Sequence, residues 1–324
     1  MNHLLSVLFF FFPSDPFVVE EVIYMPVTVK VTEQNRIVVI DQAESAVLCF
    51  LPNGKLAFKF GRSGQGPGEF GNPTDVGVFP DGRLMVVDGA NRRLQWFSPS
   101  GKYEKMVKIQ DHALGQVLVL GEERFILTES NGWSFSITMG EEERERKRFH
   151  LYDGEGRHLK SFGEFVHHKN PLLAVRLNQG PLASRGASFL FASSCSNELI
   201  WYENGGERKF KYPLPFIPDE PVEKLKRSGQ GGEEVFAMAV KADFVCLGMD
   251  LMSNGDILIL RTRDHTSPEE GLPPTNLIRL SPKGEVRKKY EGEFQSKGIA
   301  VSNDDRFVYI LLEEEHGGLR RITL

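Results

Sequence analysis

The amino-acid sequence predicts an all-β protein, a ring of six four-stranded antiparallel blades closed by an N-terminal strand that completes the last blade. Three observations carry this. Small turns recur between apolar runs (LPNGK, SPSGK, DGEGR, ENGGE, SPKGE), and their glycines Gly54, Gly101, Gly156, Gly206 and Gly284 lie 47, 55, 50 and 78 residues apart. A repeat of about 50 residues with insertions is a propeller-blade period. Strand-sized runs punctuated by Gly, Asn, Asp and Pro fill the intervals, as hairpins require. The glycine-rich stretch GRSGQGPGEF at 61–70 has a second copy, KRSGQGGEEVF at 226–236, with weaker echoes FGEF at 162–165 and EGEF at 291–294.

The elements follow in order. Residues 1–16 hold an apolar run, Leu4–Phe12, ended by Pro13. It is too short to cross a bilayer as a helix. Its character favours an export signal, although no Lys or Arg precedes it and no small-residue cleavage site follows. Residues 17–324 form one propeller domain. Blade one is expected over 27–60 and blade two over 73–109. Blade three spans 115–162 with an insertion, blade four 172–214 and blade five 245–290. Residues 298–324 supply three strands of blade six, and Phe17–Tyr24 is expected to supply the fourth, removing both open edges of the ring.

The stretch 61–70 is not a phosphate cradle. A P-loop places Lys and Ser or Thr after its last glycine, whereas Gly66 precedes Pro67. A dinucleotide loop opens a helix, whereas Gly71-Asn72-Pro73 follows Phe70. Its glycines instead permit φ > 0 in a sharp link between blades, with Phe70 inserted between them. The second copy is expected to lead into blade five in the same way.

With 40% apolar residues, 26% charged residues and a net charge of −5, the chain has a globular composition. It carries no basic stripe with interleaved aromatics, which excludes a dedicated nucleic-acid binder. Cys49, Cys195 and Cys246 form no Cys-x-x-Cys pair, so neither a zinc knuckle nor a redox motif is supported, and each is expected to pack as a small buried residue.

The block FGRSGQGPGEFGNPTDVGVFPDGRLMVVDGANRRLQWFSPSGKYEK resembles an NHL repeat. Its matching positions include Gly64, Gly66, Pro67, Gly68, Phe70, Pro73, Asp81-Gly82, Asp88, Asn91, Arg93 and Phe97. The resemblance implies a bacterial six-bladed propeller of NHL type, a fold that hosts many functions. Asp88, Asn91 and Arg93 are expected to satisfy turn and backbone groups rather than a substrate.

Three large insertions fall on one face, the top: Glu129–Arg148, Pro215–Phe244 and Arg263–Thr275. The charge run Glu141–Arg148 reads as a solvated loop. Residues 217–227 read as a short helix, with Asp219 as N-cap and Val222 and Leu225 on one side. The pair His167-His168 lacks a third ligand in any metal-site spacing. Candidate contact residues are Arg92, Trp133, Phe135, His167, Arg176, Arg261, Arg263 and His265. The favoured reading is a monomeric, non-catalytic binding module for a protein, peptide or glycan, with no cofactor and no membrane span. The alternative is a metal-dependent hydrolase or lyase, lactonase-like or hydroxyglycine-amide-lyase-like, with Ca²⁺ or Zn²⁺ near the channel, where Asp75 and Asp250 stand at inner-strand ends. A structural or sensor domain is the third.

Overall fold

In a computed structural model, the sheets follow the sequence rhythm blade by blade. The structure describes residues 17–110, 114–121, 123–129, 147–167, 174, 177–194, 198–203, 206–213, 222–228, 235–241, 246–262, 275–291, 296–312 and 318–324. Blade one is β1 (Pro26–Val31), β2 (Ile37–Asp41), β3 (Ala46–Phe50) and β4 (Leu56–Phe60), and blade two is β5 (Pro73–Val78), β6 (Leu84–Asp88), β7 (Arg93–Phe97) and β8 (Tyr103–Lys108). Blade three is β9 (Leu114–Val119), β10 (Arg124–Glu129), β11 (Lys147–Asp153) and β12 (His158–Glu164). Blade four is β13 (Leu182–Arg185), β14 (Ser188–Ala192), β15 (Glu198–Glu203) and β16 (Glu207–Pro213). A hairpin, β17 (Val222–Ser228) with β18 (Val235–Lys241), precedes blade five, which is β19 (Gly248–Leu251), β20 (Ile257–Thr262), β21 (Thr275–Leu280) and β22 (Val286–Glu291). Blade six is β23 (Ser296–Val301), β24 (Phe307–Leu312) and β25 (Gly318–Thr323).

Each blade is a meander in which strands consecutive in the chain lie side by side and antiparallel. Buried apolar residues form a separate cluster at every blade interface. Alternate strand residues face the two neighbouring blades, so a single strand feeds two cores. In β7, Trp96 packs towards blade three while Phe97 packs towards blade one. Cys49 and Cys246 are buried, as expected, and burial pushes the Cys49 thiol up to about 11. Cys195 lies outside the described residues. Among those residues, no helix is long and apolar enough to cross a membrane.

The glycine-rich link behaves as expected. Gly61, Gly64 and Gly68 all have positive φ, and Phe70 is fully buried between blades one and two. The link wraps carbonyl groups around a cation: Arg93 donates to the Gln65, Gly66 and Glu69 carbonyls at 2.6, 3.0 and 2.7 Å. Arg93 Nε also meets the fully buried Asp88 carboxylate at 2.9 Å. Asp88 in turn accepts the Gly71 and Asn72 amides and the Asn91 side chain. The stretch that superficially resembles an anion cradle is therefore a guanidinium cradle.

Three expectations need correction. Phe17–Tyr24 forms no strand, and the sheet of blade six has three strands among the described residues. The segment instead occupies, before blade one, the place that the glycine-rich link holds before blade two. Asp41 accepts the Tyr24 and Met25 amides as Asp88 accepts those of Gly71 and Asn72, and Ile23 is buried as Phe70 is. Phe17 reaches blade six, its ring 5.6 Å from that of Tyr309 and under the Arg321 guanidinium. The helix expected over 217–227 is replaced from Val222 by β17, paired residue for residue with β18 from Val222↔Lys241 to Ser228↔Val235. Sheet pairing satisfies the backbone there, and Asp219 lies outside the described residues. For the same reason 226–236 is no second blade link: Lys226–Ser228 end β17 and Val235 opens β18.

Candidate functional site

Strand order sorts the connections onto two faces. Turns joining first to second and third to fourth strands lie on one face, and none exceeds five residues. The longer connections, 61–72, 130–146, 165–181, 214–247 and 263–274, join strand ends that lie at the opposite face. Inner strands end at the tight-turn face and begin at the opposite one. Of the candidate residues, Arg92, His167 and Arg261 are described, and all three stand at this face. Arg92 occupies the β6–β7 turn in the left-handed region (φ 50°) and donates to the Gln110 carbonyl. His167 follows β12 and is exposed, with its ring 5.5 Å from Phe165. Arg261 sits near the end of β20. Trp133, Phe135, Arg176, Arg263, His265 and His168 lie outside the described residues.

The channel itself is a cavity of about 320 Å³ enclosed by the six inner strands. Valines, Gly77 and Ala300 line its inner part, Arg185, Ser253, Asn303 and Asp305 stand at the tight-turn face, and Lys30 lies 3.9 Å from Asp75. The two inner-strand aspartates act as latches. Asp75 accepts the Thr28 hydroxyl of blade one at 2.8 Å, its neighbour's amide at Val76, and the Val117 amide of blade three at 2.9 Å. Asp250 accepts the Leu251 amide and, across the interface, the Val301 amide of blade six at 2.7 Å. Each carboxylate thus ties its blade to the next through the innermost strand. Among the described residues, no group of three His, Cys, Asp or Glu side chains converges as a metal site.

Burial pushes the Asp250 carboxyl above the usual aspartate range, against the Val301 and Leu251 amides and the charge of Lys30, which pull it down. A raised folded value means that this group favours the folded state most when protonated. Its contribution is fully present below the ordinary 3.8 and is lost as pH rises through the raised value. A carboxyl-carbon NMR titration should show the Asp250 midpoint above 3.8; a midpoint at or below it would mean that the amides and Lys30 outweigh burial.

One residue escaped the sequence reading. Arg148 closes the charge run assigned to a solvated loop, yet it belongs to β11 and is 5% exposed. Its Nε and Nη2 donate to the Asn178 side-chain oxygen at 3.3 and 3.2 Å. Its guanidinium lies 4.6 Å from the centre of the Phe191 ring, and Tyr202 lines a common cleft with Arg148. A signal for it existed: Arg148 stands eight residues before the turn glycine Gly156, as Arg93 stands eight before Gly101.

The comparisons agree with this architecture. The chain is similar in fold to the structure of U3-55K, with a TM-score of 0.60 at 8% identity over 95% of this chain and 98% of that one. It is similar to a streptogramin B lyase, TM-score 0.55 at 12% identity, covering 95% and 96% of the two chains. A gluconolactonase from Xanthomonas campestris gives 0.58 at 11% identity, covering 94% and 88%. These identities establish the fold alone. No curated protein matches the chain by sequence. The model of the DUF5128 family, described as a 6-bladed beta-propeller, matches residues 20–260, and the chain belongs to that family.

Proposed function

We propose that the protein is a non-catalytic propeller module that recognises a protein, peptide or glycan on its top face. The observation that carries this reading is the one-sided distribution of its connections: every long one joins strands at one face, and the other face has only tight turns. Long loops on a rigid scaffold are where recognition residues concentrate. The NHL-type character of the repeat rests on the block 60–109 and fits this use. Arg92, His167 and Arg261 belong to the recognition surface, with Trp133, Phe135, Arg176, Arg263 and His265 completing it.

The commitment of Asp75 and Asp250 to backbone amides of neighbouring blades favours this reading over the hydrolase or lyase alternative, which needs carboxylates free to hold a cation or move a proton. Elemental mass spectrometry of the untagged chain discriminates between them. One tightly held Ca²⁺ or Zn²⁺ per chain returns the argument to catalysis.

Binding is tested on peptide and glycan arrays, followed by calorimetry on any hit. Alanine at Trp133, Arg263 and His265, and separately at Arg92, His167 and Arg261, should weaken the hit by roughly tenfold or more where a hot spot is removed. Lys102→Ala and Lys283→Ala, in turns of the opposite face, should leave it unchanged. Top-face variants that bind like the parent chain would sink the assignment.

A further inference from the structure

Residues of blades three and four line a cleft of about 380 Å³, apart from the central channel. That is the size of a small-molecule site. Arg148 and Tyr202 line its inner part, Val166, Leu177 and Ile200 give it apolar walls, and Arg208 and Lys211 stand among its outer residues.

The electrostatics of this cleft are unbalanced at its centre. Arg93, at the same position of the repeat in blade two, is neutralised by Asp88 and capped by three carbonyls. Arg148 is as deeply buried, but among the described residues no carboxylate lies within ion-pair distance of it. Asn178, Tyr202 and the Phe191 ring are neutral partners. Lys211 is already paired with Glu198 at 2.5 Å, and the nearest approach of Glu164, an almost fully exposed side chain, is to Arg208 at 4.0 Å. Among the described residues the charged lining therefore carries one positive charge in excess, and Arg148 is its buried member. Burial already pulls the Arg148 pKa down, as expected for a cation short of compensation.

We propose that this cleft binds a small monoanionic carboxylate with an apolar body. The planar guanidinium of Arg148 suits a carboxylate, which it can meet with two parallel N–H donors. The Tyr202 hydroxyl stands beside it as a second polar group that fixes orientation. Val166, Leu177 and Ile200 take the apolar body. A single excess charge matches a monoanion better than a phosphate dianion. A free organic acid and the C-terminal carboxylate of a peptide share this chemistry. The proposal stands independently of the top-face reading.

The test is calorimetry on the full chain with hexanoate, 4-phenylbutyrate, their primary amides, inorganic phosphate, and a leucine-terminated tripeptide with a free or an amidated C-terminus. The carboxylates should bind saturably and the amides should not. Binding by the free-acid peptide alone identifies a chain terminus as the source, and binding by the small acids alone a metabolite. Arg148→Met should weaken binding about ten- to hundredfold, the worth of a charge-assisted hydrogen bond in affinity. Should that variant fail to fold, side-chain NMR of the parent chain gives the answer directly: the Arg148 Nε–H resonance moves on titration and that of Arg93 does not. Failure of every carboxylate probe at millimolar concentration, equal binding of acids and amides, preference for phosphate, or indifference to Arg148→Met overturns the proposal.

Discussion

Replacing Arg93 with alanine should lower the unfolding free energy by about 3–5 kcal/mol, the usual cost of removing one partner of a buried ion pair. The loss is large because Arg93 is bonded on all sides. Its guanidinium joins the Asp88 carboxylate to three carbonyls of the glycine-rich link, and Asp88 holds the amides at the end of that link. Without the guanidinium, a fully buried carboxylate is left without its cation and three carbonyls lose a donor. The link then no longer presses Phe70 into the core between blades one and two. For a chain of this size the melting temperature should fall by roughly 5–10 °C. Arg93→Lys should not rescue it, since an ammonium point charge cannot span a carboxylate and three carbonyls. Denaturant unfolding measures the effect, and a loss under about 1 kcal/mol would mean that the network is a surface-like contact of little weight.

Phe149→Ala should cost a similar amount, about 3–5 kcal/mol, through cavity formation. The ring is fully buried between blades three and four, 5.3 Å from Phe189, 5.4 Å from Phe191 and 5.2 Å from Tyr202, all edge-on. Such pairs add about 0.5–1.5 kcal/mol each to the area term. Because the strands on both sides are held by their own sheets, the interface cannot collapse to refill the space. Phe149→Leu should recover most of the loss. Val286→Ala, at a side chain 40% exposed, serves as the control and should change stability by less than about 0.5 kcal/mol. A Phe149→Ala loss as small as the control's would show that the aromatic cluster is not what holds these two blades together.

Local features were legible in the sequence. The turn glycines Gly54, Gly101, Gly156, Gly206 and Gly284 all adopt positive φ, and each marks the third-to-fourth turn of one of blades one to five. Short hairpins are decided by the residues of the turn itself. The link at 61–70 and its plug Phe70 were readable for the same reason. The roles of Asp88, Asn91 and Arg93 followed from their place beside a turn. The sequence also indicated which face the long connections join, because insertion positions on a meander template determine which end of the blade they extend.

What only the tertiary structure decided concerns partners distant along the chain. Phe17–Tyr24 has strand-like composition, but Asp41 takes the Tyr24 amide with that of Met25 and the Gly54 carbonyl takes the Glu20 amide, so it docks as a link rather than an edge strand. The charged segment 222–228 satisfies either helical or strand periodicity, and pairing with 235–241 selects the strand. Asp75 and Asp250 read equally well as channel ligands until the Val117 and Val301 amides of other blades are seen to hold them. Arg148 sits in a run of charges that reads as solvated, and only the closure of blade four over it removes its water. Turn chemistry is encoded within a few residues, whereas hydration and hydrogen-bond partnership depend on which other blade arrives, and that depends on the whole ring.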